Sequence, residues 1–509
     1  MTSRRADALT LPLLALAIAA VAAHLARLPA LTSDEAWLGL YALRSRGLPS
    51  PHEMNTYTGP LYGLFVSWVF AWRGVSVESL RLFGAVANCA AFAVVVAGLR
   101  RRVSAEAAAW GAALLAGSAY LLLKSRLAWE CYAVQPLLLA ITLSLVDEPV
   151  NLVRALLFAA VTMVGVQNHF IYLSIPVSLS VLYGARAAWL DEESARPWLR
   201  LSLAALVAGA AVFVVKPRLT DASWPSQRIW AIPLFWALIP AAAAAGLFGE
   251  WDGPFVAALA RPAVRRWCGR GLALGLLAFL IWHARPLWQV FAEVVVWKRI
   301  FSWDAPWWLA VPLDAWAAFL LALMVWTGVR AWSGHETMTP HERTLALWPA
   351  AYAAIFILFR NTSSLRYYLP VYVLCVAAVP SALARMARSD QRGAALFALI
   401  AVASTQGLFW RELANPGDRK PLFFKIGWHT ENSKDFARKE ALFSAFDASG
   451  ACGIAHQERS FTAIPLQFHR AITGPHPCDA AEAFDAEQCP ECPAPPYYRW
   501  ETVSVPASK

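Results

Sequence analysis

The sequence predicts an all-α polytopic membrane protein of about thirteen transmembrane helices, followed by a small α+β domain. Of its 509 residues, 58% are hydrophobic and only 15% are charged, whereas soluble proteins carry about 25% charged residues. Apolar runs of about 18 residues or more, each long enough to cross a hydrocarbon core about 30 Å thick, recur as far as residue 410. Beyond residue 413 the chain becomes polar and such runs end.

The predicted spans follow from the lengths of the apolar runs and from the charges between them. They comprise residues 8–29, 81–99, 106–123, 132–146, 152–172, 173–190, 199–215, 229–248, 271–290, 307–329, 344–359, 368–386 and 393–410. The first run is longer than the core of a typical signal peptide, so it predicts a retained signal anchor with a cytoplasmic N-terminus.

The segment 59–72 decides the predicted topology. It has only 14 residues and begins with Gly-Pro, which favours an interfacial or re-entrant helix within an outer loop of residues 30–80. The arginines at 100–102 and the basic stretch at 261–270 are then cytoplasmic, as the positive-inside rule requires. The chain is thus predicted to have a membrane core, residues 1–412, and an extracytoplasmic domain, residues 413–509, at a bacterial-type plasma membrane.

The C-terminal domain is predicted to contain a helix near 433–446 and a strand near 452–457. It holds Cys452, Cys478, Cys489 and Cys492. In an oxidising compartment four cysteines predict two disulfides. A zinc site is the weaker alternative, because the single C-x-x-C has no second pair and no histidines at metal spacing.

The formal charge of +10 does not indicate a nucleic-acid partner, because the basic residues lie between apolar segments and so suit topology and anionic lipid. Several basic residues nevertheless fall on the predicted outer face, which suggests an anionic ligand there. They are Lys124, Arg126, Lys216, Arg218, Lys298, Arg299, Arg360 and Arg366.

The first candidate site residues are Asp34 and Glu35, in "TSDEAW" directly after the first span. One interpretation is a helix N-cap, since Ser or Asp shortly before Glu is a capping signature. The other is catalytic: acids at the edge of an apolar span are costly, and a partly desolvated carboxylate can act as a general base.

Two further stretches place polar groups at the same predicted face. In "LKSRLAWECYAVQP", Arg126 and Glu130 are four residues apart and could pair on a helix, or Glu130 could supply a second carboxylate while Arg126 holds an anion. In "GVQNHFIY", His169 is either structural or part of the site.

The last two candidates lie later in the chain. "RNTSSLRYYLPVY" contains Arg366 and Tyr367, which could snorkel in an aromatic belt or grip a lipid phosphate. Lys298 lies in an amphipathic segment, 293–308, that could rest in the membrane interface or guide a lipid-linked substrate. No P-loop, dinucleotide fingerprint, zinc-protease motif or nucleophile elbow is present.

Taken in order, the motifs resemble those of C-type membrane glycosyltransferases, in the branch related to protein O-mannosyltransferases and lipid A aminoarabinose transferases. The acid pair of "SDEAW" is followed by "GPLY", which ends in Tyr62, and by "SVESLRLFGAV", which is similar to the family's SE-x-A-x-R-L run. "SRLAWE" and "LRYYLPVY" then resemble the SR-x-A and RY-x-LP motifs.

The resemblance implies an inverting transfer of a sugar from a polyprenyl-phosphate donor to a hydroxyl of a lipid, glycan or protein. It implies that Asp34 is the base, and that Arg366, helped by Arg126 or Lys298, neutralises the departing phosphate. Glu35 and Glu130 would orient substrate, and Tyr62, His169 and Tyr367 would bind it. No cofactor is required, although the resemblance is compatible with a divalent metal.

Two alternatives differ from this hypothesis. A transporter or flippase for lipid-linked sugars would be expected to show repeated halves and broken helices near the bilayer midplane, and no internal repeat is visible in the sequence. A catalytically inactive scaffold of the same fold is the other alternative.

Overall fold

A computed structural model describes most of the chain. The described residues are 3–44, 61–219, 233–264, 267, 307–333, 338–356, 369–414, 423–426, 429–455, 462–474, 479–488 and 498–504. The predicted span 271–290 and the predicted site residues Lys298, Arg366 and Tyr367 lie outside them.

The membrane core is built from α-helices throughout its described part. In the first half these are α1 (Ser3–Ala22), α2 (Ser33–Arg44), α3 (Leu61–Arg73), α4 (Val77–Arg102), α5 (Ala105–Gly117), α6 (Ala119–Lys124), α7 (Glu130–Ala133), α8 (Gln135–Leu145), α9 (Leu152–Asn168) and α10 (Ser174–Trp189). In the second half they are α11 (Arg196–Leu219), α12 (Pro233–Phe248), α13 (Asp252–Ala260), α14 (Trp307–Ser333), α15 (Pro340–Phe356), α16 (Leu369–Ala384) and α17 (Arg388–Ala414). Short 3₁₀ turns at Phe170–Leu173 and Glu193–Ala195 join α9 to α10 and α10 to α11.

Six helical segments of the described chain are long and apolar enough to cross a membrane. They are Arg4–Ala22, Val77–Arg102, Phe170–Trp189, Glu193–Val212, Val311–Ser333 and Arg388–Arg411. Four shorter apolar helices accompany them, at Gln135–Leu145, Leu152–Asn168, Trp236–Phe248 and Val373–Ala384. The chain is therefore a membrane protein by composition and helix length, while the predicted number of thirteen spans is not confirmed.

Helix α4 shows how the sequence sets these boundaries. Its N-cap is Ser76, whose side chain accepts a hydrogen bond from the Ser79 amide at 3.0 Å, and Glu78 lies in the first turn where the helix dipole favours negative charge. Three arginines occupy the last turn, where positive charge is favoured. At 1.5 Å per residue the helix is about 39 Å long, so its two ends mark opposite ends of the core.

The end reached by the C-terminus of α4 contains a network of buried charges, and we call it the Asp147 end. Arg186 is fully buried and lies 2.8 Å from Asp147 and 2.7 Å from Glu192. Glu192 also pairs with Arg343, and Glu148 lies 3.4 Å from Arg102. These ion pairs connect α4, α10 and α15 with the loop between α8 and α9.

At the opposite end the chain continues from α17 into a small α+β domain. Strands β1 (Phe423–Ile426) and β2 (His429–Asn432) form an antiparallel pair. Strands β3 (Ala451–Ile454), β4 (Asp479–Gln488) and β5 (Tyr498–Ser504) form a second sheet, parallel between β3 and β4 and antiparallel between β4 and β5. Helices α18 (Ser433–Ser449) and α19 (Ala463–Thr473) complete the domain.

The sequence predictions for this domain are confirmed in outline. The helix expected near 433–446 is α18, and the strand expected near 452–457 is β3, shifted by a few residues. No sequence pattern predicted β1, β2, α19, β4 or β5. Three of the four cysteines and the side chain of Cys452 lie outside the described residues, so the disulfides stay a prediction.

Candidate functional site

Helix α2 begins with a capping box that fixes Glu35. The Glu35 amide donates to Thr32 Oγ1 at 3.2 Å, and the Thr32 amide donates to Glu35 Oε2 at 3.0 Å. This reciprocal pair satisfies two backbone donors at the start of a helix. The capping interpretation of "TSDEAW" is therefore correct for Thr32 and Glu35.

Glu35 is at the same time half of a fully buried ion pair. Arg81 Nε lies 2.7 Å from Glu35 Oε1, and Arg81 Nη2 lies 2.7 Å from Oε2, so the contact is bidentate. Neither side chain is exposed. The Ala128 amide also donates to Oε1, at 2.8 Å. Glu35 therefore joins α2, α4 and the turn before α7, and we call this part of the molecule the Glu35 end.

The surroundings of Glu35 keep it ionised. Burial acts to raise the pKa of Glu35, but the charge of Arg81 and the hydrogen bonds from Arg81, Ala128 and Thr32 outweigh it, so the pKa is lowered. A carboxylate held in this way is a poor proton acceptor. Its contacts suit a structural role better than the substrate-orienting role that the resemblance implies.

Arg81 and Arg126 both bind the chain segment that follows α1. Arg81 Nη1 donates to the carbonyls of Leu25 and Pro29, each at 2.7 Å. Arg126 Nε donates to the Leu28 carbonyl at 2.6 Å, and its Nη1 donates to the Ala20 carbonyl at 2.6 Å. The last four carbonyls of a helix lack intrahelical partners, and Arg126 supplies a donor for two of them, those of Ala20 and Val21.

Arg126 binds main-chain carbonyls, and its pairing with Glu130 stays a prediction. All the hydrogen bonds described for it go to backbone carbonyls, and its guanidinium lies 5.3 Å from the centre of the Phe409 ring. The Glu130 side chain is outside the described residues, although α7 begins at Glu130. Burial and then the positive charge of Arg81 lower the pKa of Arg126 to about 9, so it is charged at neutral pH. Together with Arg81 and Glu35 it leaves one buried positive charge in excess.

Asp34 differs from Glu35 in exposure. It is half-buried, whereas Glu35 is fully buried. Successive residues of an α-helix point about 100° apart, so the two adjacent carboxylates face different surroundings. Asp34 lies in the first turn of α2, where the helix dipole stabilises negative charge. Of the two acids, Asp34 is the one that has solvent-accessible surface.

Tyr62 and His169 are buried near the same end. The Tyr62 ring is fully buried, and its centre lies 6.0 Å from that of Phe83. His169 Nδ1 accepts a hydrogen bond from the Ile171 amide at 3.2 Å and so caps the 3₁₀ turn before α10. The backbone carbonyl of His169 accepts from Gln135 at 3.5 Å, which places His169 beside the start of α8. The structure thus brings Asp34, Glu35, Arg126 and the backbone of Glu130 together and puts His169 close by.

Arg81 is the important residue that the sequence analysis did not select. The signal was present, because an arginine at the start of an apolar helix is costly unless it has a partner.

In the described part of the chain, no three His, Cys, Asp or Glu side chains are grouped as metal ligands would be. The oxygens of Glu35 are already engaged by Arg81, Ala128 and Thr32.

The fold can be compared with those of known proteins. The chain matches no family model and no curated protein sequence. Among solved structures it is similar to the oligosaccharyltransferase of Archaeoglobus fulgidus in complex with Zn and sulfate, with a TM-score of 0.50 and 16% identity. The match covers 86% of this chain and 55% of the archaeal chain. The two proteins share a fold.

Two further structures extend the comparison. The A. fulgidus oligosaccharyltransferase AglB, in complex with an inhibitory peptide and a dolichol-phosphate, has a TM-score of 0.50 and 16% identity, over 90% of this chain and 59% of that one. The present chain thus spans less than two thirds of the archaeal enzyme. ArnT from Cupriavidus metallidurans, bound to undecaprenyl phosphate, aligns over 96% and 93% of the two chains at 11% identity, but its TM-score of 0.35 supports no argument. The resemblance to C-type membrane glycosyltransferases is confirmed as a resemblance of fold.

Proposed function

We propose that the chain is a glycosyltransferase that moves a sugar from a polyprenyl-phosphate donor to an acceptor hydroxyl at the outer face of the membrane. The observation that carries this proposal is the fold shared with AglB, an oligosaccharyltransferase whose structure was solved with a dolichol-phosphate. The order of the motifs along the sequence supports it independently. The Glu35 end, with the C-terminal domain beyond it, is the end that faces outward in this proposal.

The reaction needs a base at the acceptor, and Asp34 supplies it. The acceptor oxygen attacks the anomeric carbon, its proton passes to the Asp34 carboxylate, and the bond from that carbon to the phosphate oxygen breaks. The electron pair of this bond leaves with the polyprenyl phosphate, and attack from the opposite side inverts the anomeric centre. General-base catalysis of this kind contributes about 10²–10⁴-fold to the rate.

In this proposal the buried Glu35–Arg81 ion pair holds Asp34 in place, and the additional positive charge of Arg126 favours departure of the polyprenyl phosphate. Glu35 and Arg81 fix the start of α2, on which Asp34 lies. Arg126 is fully buried, and its hydrogen bonds go to carbonyls, so it acts on the phosphate through its charge and not by direct contact. In this proposal Arg366 makes the direct contact. Preorganised charge of this kind often contributes more to catalysis than any other single effect.

Asp34→Asn tests the proposal. Sugar transfer from a synthetic polyprenyl-phosphate donor, measured in liposomes, should fall by about 10²-fold or more, while yield and thermal stability stay near those of the wild type. The matched control is Asp390→Asn, which makes the same change in the first turn of another helix, α17. Unchanged transfer by the Asp34 variant would rule out this base, and donor movement across the bilayer without transfer would favour the flippase alternative.

A further inference from the structure

A cavity of about 270 Å³ lies between the membrane core and the C-terminal domain, at the Glu35 end. Leu31, between α1 and α2, and Glu78, in the first turn of α4, line it from the core. Glu440, Phe443 and His469 line it from α18 and α19. Small-molecule pockets have volumes of about 300–1,000 Å³, so the size suits a group of about one ring. No role in the reaction derived above uses this cavity.

The contacts between the two parts hold the walls of the cavity together. Lys439 Nζ donates to the Leu31 carbonyl, and Lys439 is the neighbour of Glu440 on α18. On the same side of the interface, the Phe468 ring of α19 packs on Phe70 of α3, with 6.3 Å between ring centres. The cavity is therefore built by packing between two folded elements, and it lies close to Asp34, because Leu31 precedes the start of α2.

The charged groups that line the cavity are carboxylates. Glu78 and Glu440 approach it from opposite sides, and a third carboxylate, Asp447, lies 3.0 Å from Nε2 of His469. Arg73 pairs with Glu78 only at 3.6 Å, and both of these side chains are about half exposed. Ionised carboxylates accept hydrogen bonds and donate none. The lining itself is therefore rich in acceptors, and the two nearby cations, Arg73 and Lys439, are engaged by Glu78 and by the Leu31 carbonyl.

One wall of the cavity is aromatic. The rings of Phe443 and His469 stack with 4.4 Å between their centres and 6° between their planes. Aromatic side chains beside hydrogen-bond acceptors suit a ligand that has both an apolar face and several donors. A phosphate has neither feature, and the carboxylates would repel it.

We infer that this cavity binds one neutral or amino-substituted sugar ring of the acceptor, and not a phosphorylated group. The inference rests on the proposed function and assigns the acceptor a chemical class. The ring hydroxyls or the ammonium group donate to Glu78 and Glu440, and the ring lies against the stacked Phe443 and His469. The cavity then recognises the acceptor, while the buried positive charge, at a separate place, favours the donor phosphate.

The test is equilibrium binding to the full-length protein in nanodiscs without donor, by calorimetry or saturation-transfer NMR. The three probes are methyl glucoside, glucosamine and glucose 6-phosphate. We expect saturable binding of the first two, and binding of glucose 6-phosphate at least about tenfold weaker. Glu78→Gln and Glu440→Gln should each weaken sugar binding about tenfold, because glutamine offers one neutral acceptor oxygen where glutamate offers two charged ones.

The matched control is Glu501→Gln, an exposed glutamate on β5 that does not line the cavity. Its sugar affinity should equal that of the wild type, and thermal melting should show that all three variants are folded. The inference is overturned if none of the probes binds saturably, if glucose 6-phosphate binds as tightly as the neutral sugar, or if neither cavity variant differs from the control.

The sugar could belong to a glycolipid or to a soluble or protein-linked glycan, and two probes, a lipid-anchored glucoside and methyl glucoside, distinguish these sources. Tighter binding of a lipid-anchored glucoside in vesicles than of methyl glucoside identifies the head group of a glycolipid, and equal binding identifies a soluble or protein-linked glycan. Both results support the cavity as a sugar site. Binding is measured without donor, so the two hypotheses can fail separately. If the wild-type protein binds the sugars but transfers none, only the proposed function is contradicted. If it transfers sugar but its sugar binding is unaffected by either glutamate substitution, only this inference is contradicted.

Discussion

Arg81 and Glu35 are 46 positions apart in sequence and form a bidentate ion pair in which neither side chain reaches solvent. The pair connects the helix that presents Asp34 to the longest apolar helix of the first half of the chain. Removal of one partner from a buried pair strands the other charge and costs about 3–5 kcal/mol. The Glu35–Arg81 contact therefore contributes both to the stability of the core and to the position of Asp34, the proposed base.

The two partners should not be equivalent when they are mutated. Arg81→Met leaves the Glu35 charge unpaired and also deprives the carbonyls of Leu25, Pro29 and Ala30 of a donor. Glu35→Gln removes one charge but leaves Arg81 those carbonyls. We expect Arg81→Met to lower the melting temperature in detergent more than Glu35→Gln does. Arg100→Met, in the exposed pair with Asp7, should change it little, and equal effects of the two buried substitutions would contradict the prediction.

Arg126 allows its charge and its hydrogen bonds to be separated. Arg126→Lys keeps the positive charge, but one ammonium group cannot reach the carbonyls of Ala20, Val21, His24 and Leu28. Arg126→Met loses both. Each buried carbonyl left without a donor costs about 1–3 kcal/mol.

Both Arg126 variants should therefore melt at lower temperature, whereas only Arg126→Met should raise the KM for the polyprenyl-phosphate donor. Arg411→Lys, on the exposed last turn of α17, serves as the control for the substitution itself. A donor KM raised equally by the Lys and Met variants would show that geometry, and not charge, is what Arg126 contributes.

The Asp147 end should make the protein sensitive to acid. Burial lowers the pKa of His341 below 6.5, and Asp147, Arg102 and Glu148 are the charged groups that face it. Burial acts to raise the pKa of Asp147, but the neighbouring His341, whose Nδ1 lies 3.7 Å from Oδ2, and the charge of Arg186 outweigh it, so this pKa is lowered. Both groups bind fewer protons when the protein is folded, so stability falls as pH falls.

The loss should begin below about pH 6.5, as His341 takes up a proton on unfolding, and steepen below about pH 4, where unfolded aspartates become protonated. Melting temperature measured against pH in detergent tests this. His341→Gln should flatten the curve between about pH 6.5 and 5 and, because His341 also lowers the pKa of Asp147, make the part below about pH 4 less steep. A wild-type curve that is flat across that interval would contradict the assignment to His341.

The contact of α2 with α19 depends on a glycine. A Cβ placed on Gly39 would lie 2.3 Å from the ring of Phe468, so Gly39→Ala should displace the ring, lower the melting temperature and increase proteolysis between the core and the C-terminal domain. Phe468→Leu in the same chain should restore part of the loss, because the smaller side chain makes room. Gly407→Ala, where an added Cβ meets nothing within 4 Å, should be neutral or slightly stabilising.

The sequence predicted several of the long helices, but it did not predict which groups the buried charged side chains contact. Apolar run lengths predicted α4, α14 and α17 to within a few residues, because a membrane helix satisfies its own backbone. The acid pair was also found, but adjacency in sequence could not show that Glu35, and not Asp34, faces Arg81. Arg126 was expected either to pair with Glu130 or to hold an anion, and no local pattern indicated that its guanidinium binds carbonyls at and just after the end of α1. Such long-range contacts depend on how helices pack, and no local pattern encodes them.

The hydrogen bonds from Arg81 and Arg126 to carbonyls at and after the end of α1 have a consequence for biosynthesis. Residues 20–30 leave the ribosome long before residue 126, and at about 5–20 residues per second the delay is about 5–20 s. During that interval the carbonyls of Ala20 and Val21, at the end of α1, lack the Arg126 guanidinium that binds them in the folded chain. The end of α1 is thus made early and is fixed in place only after a much later segment has been made.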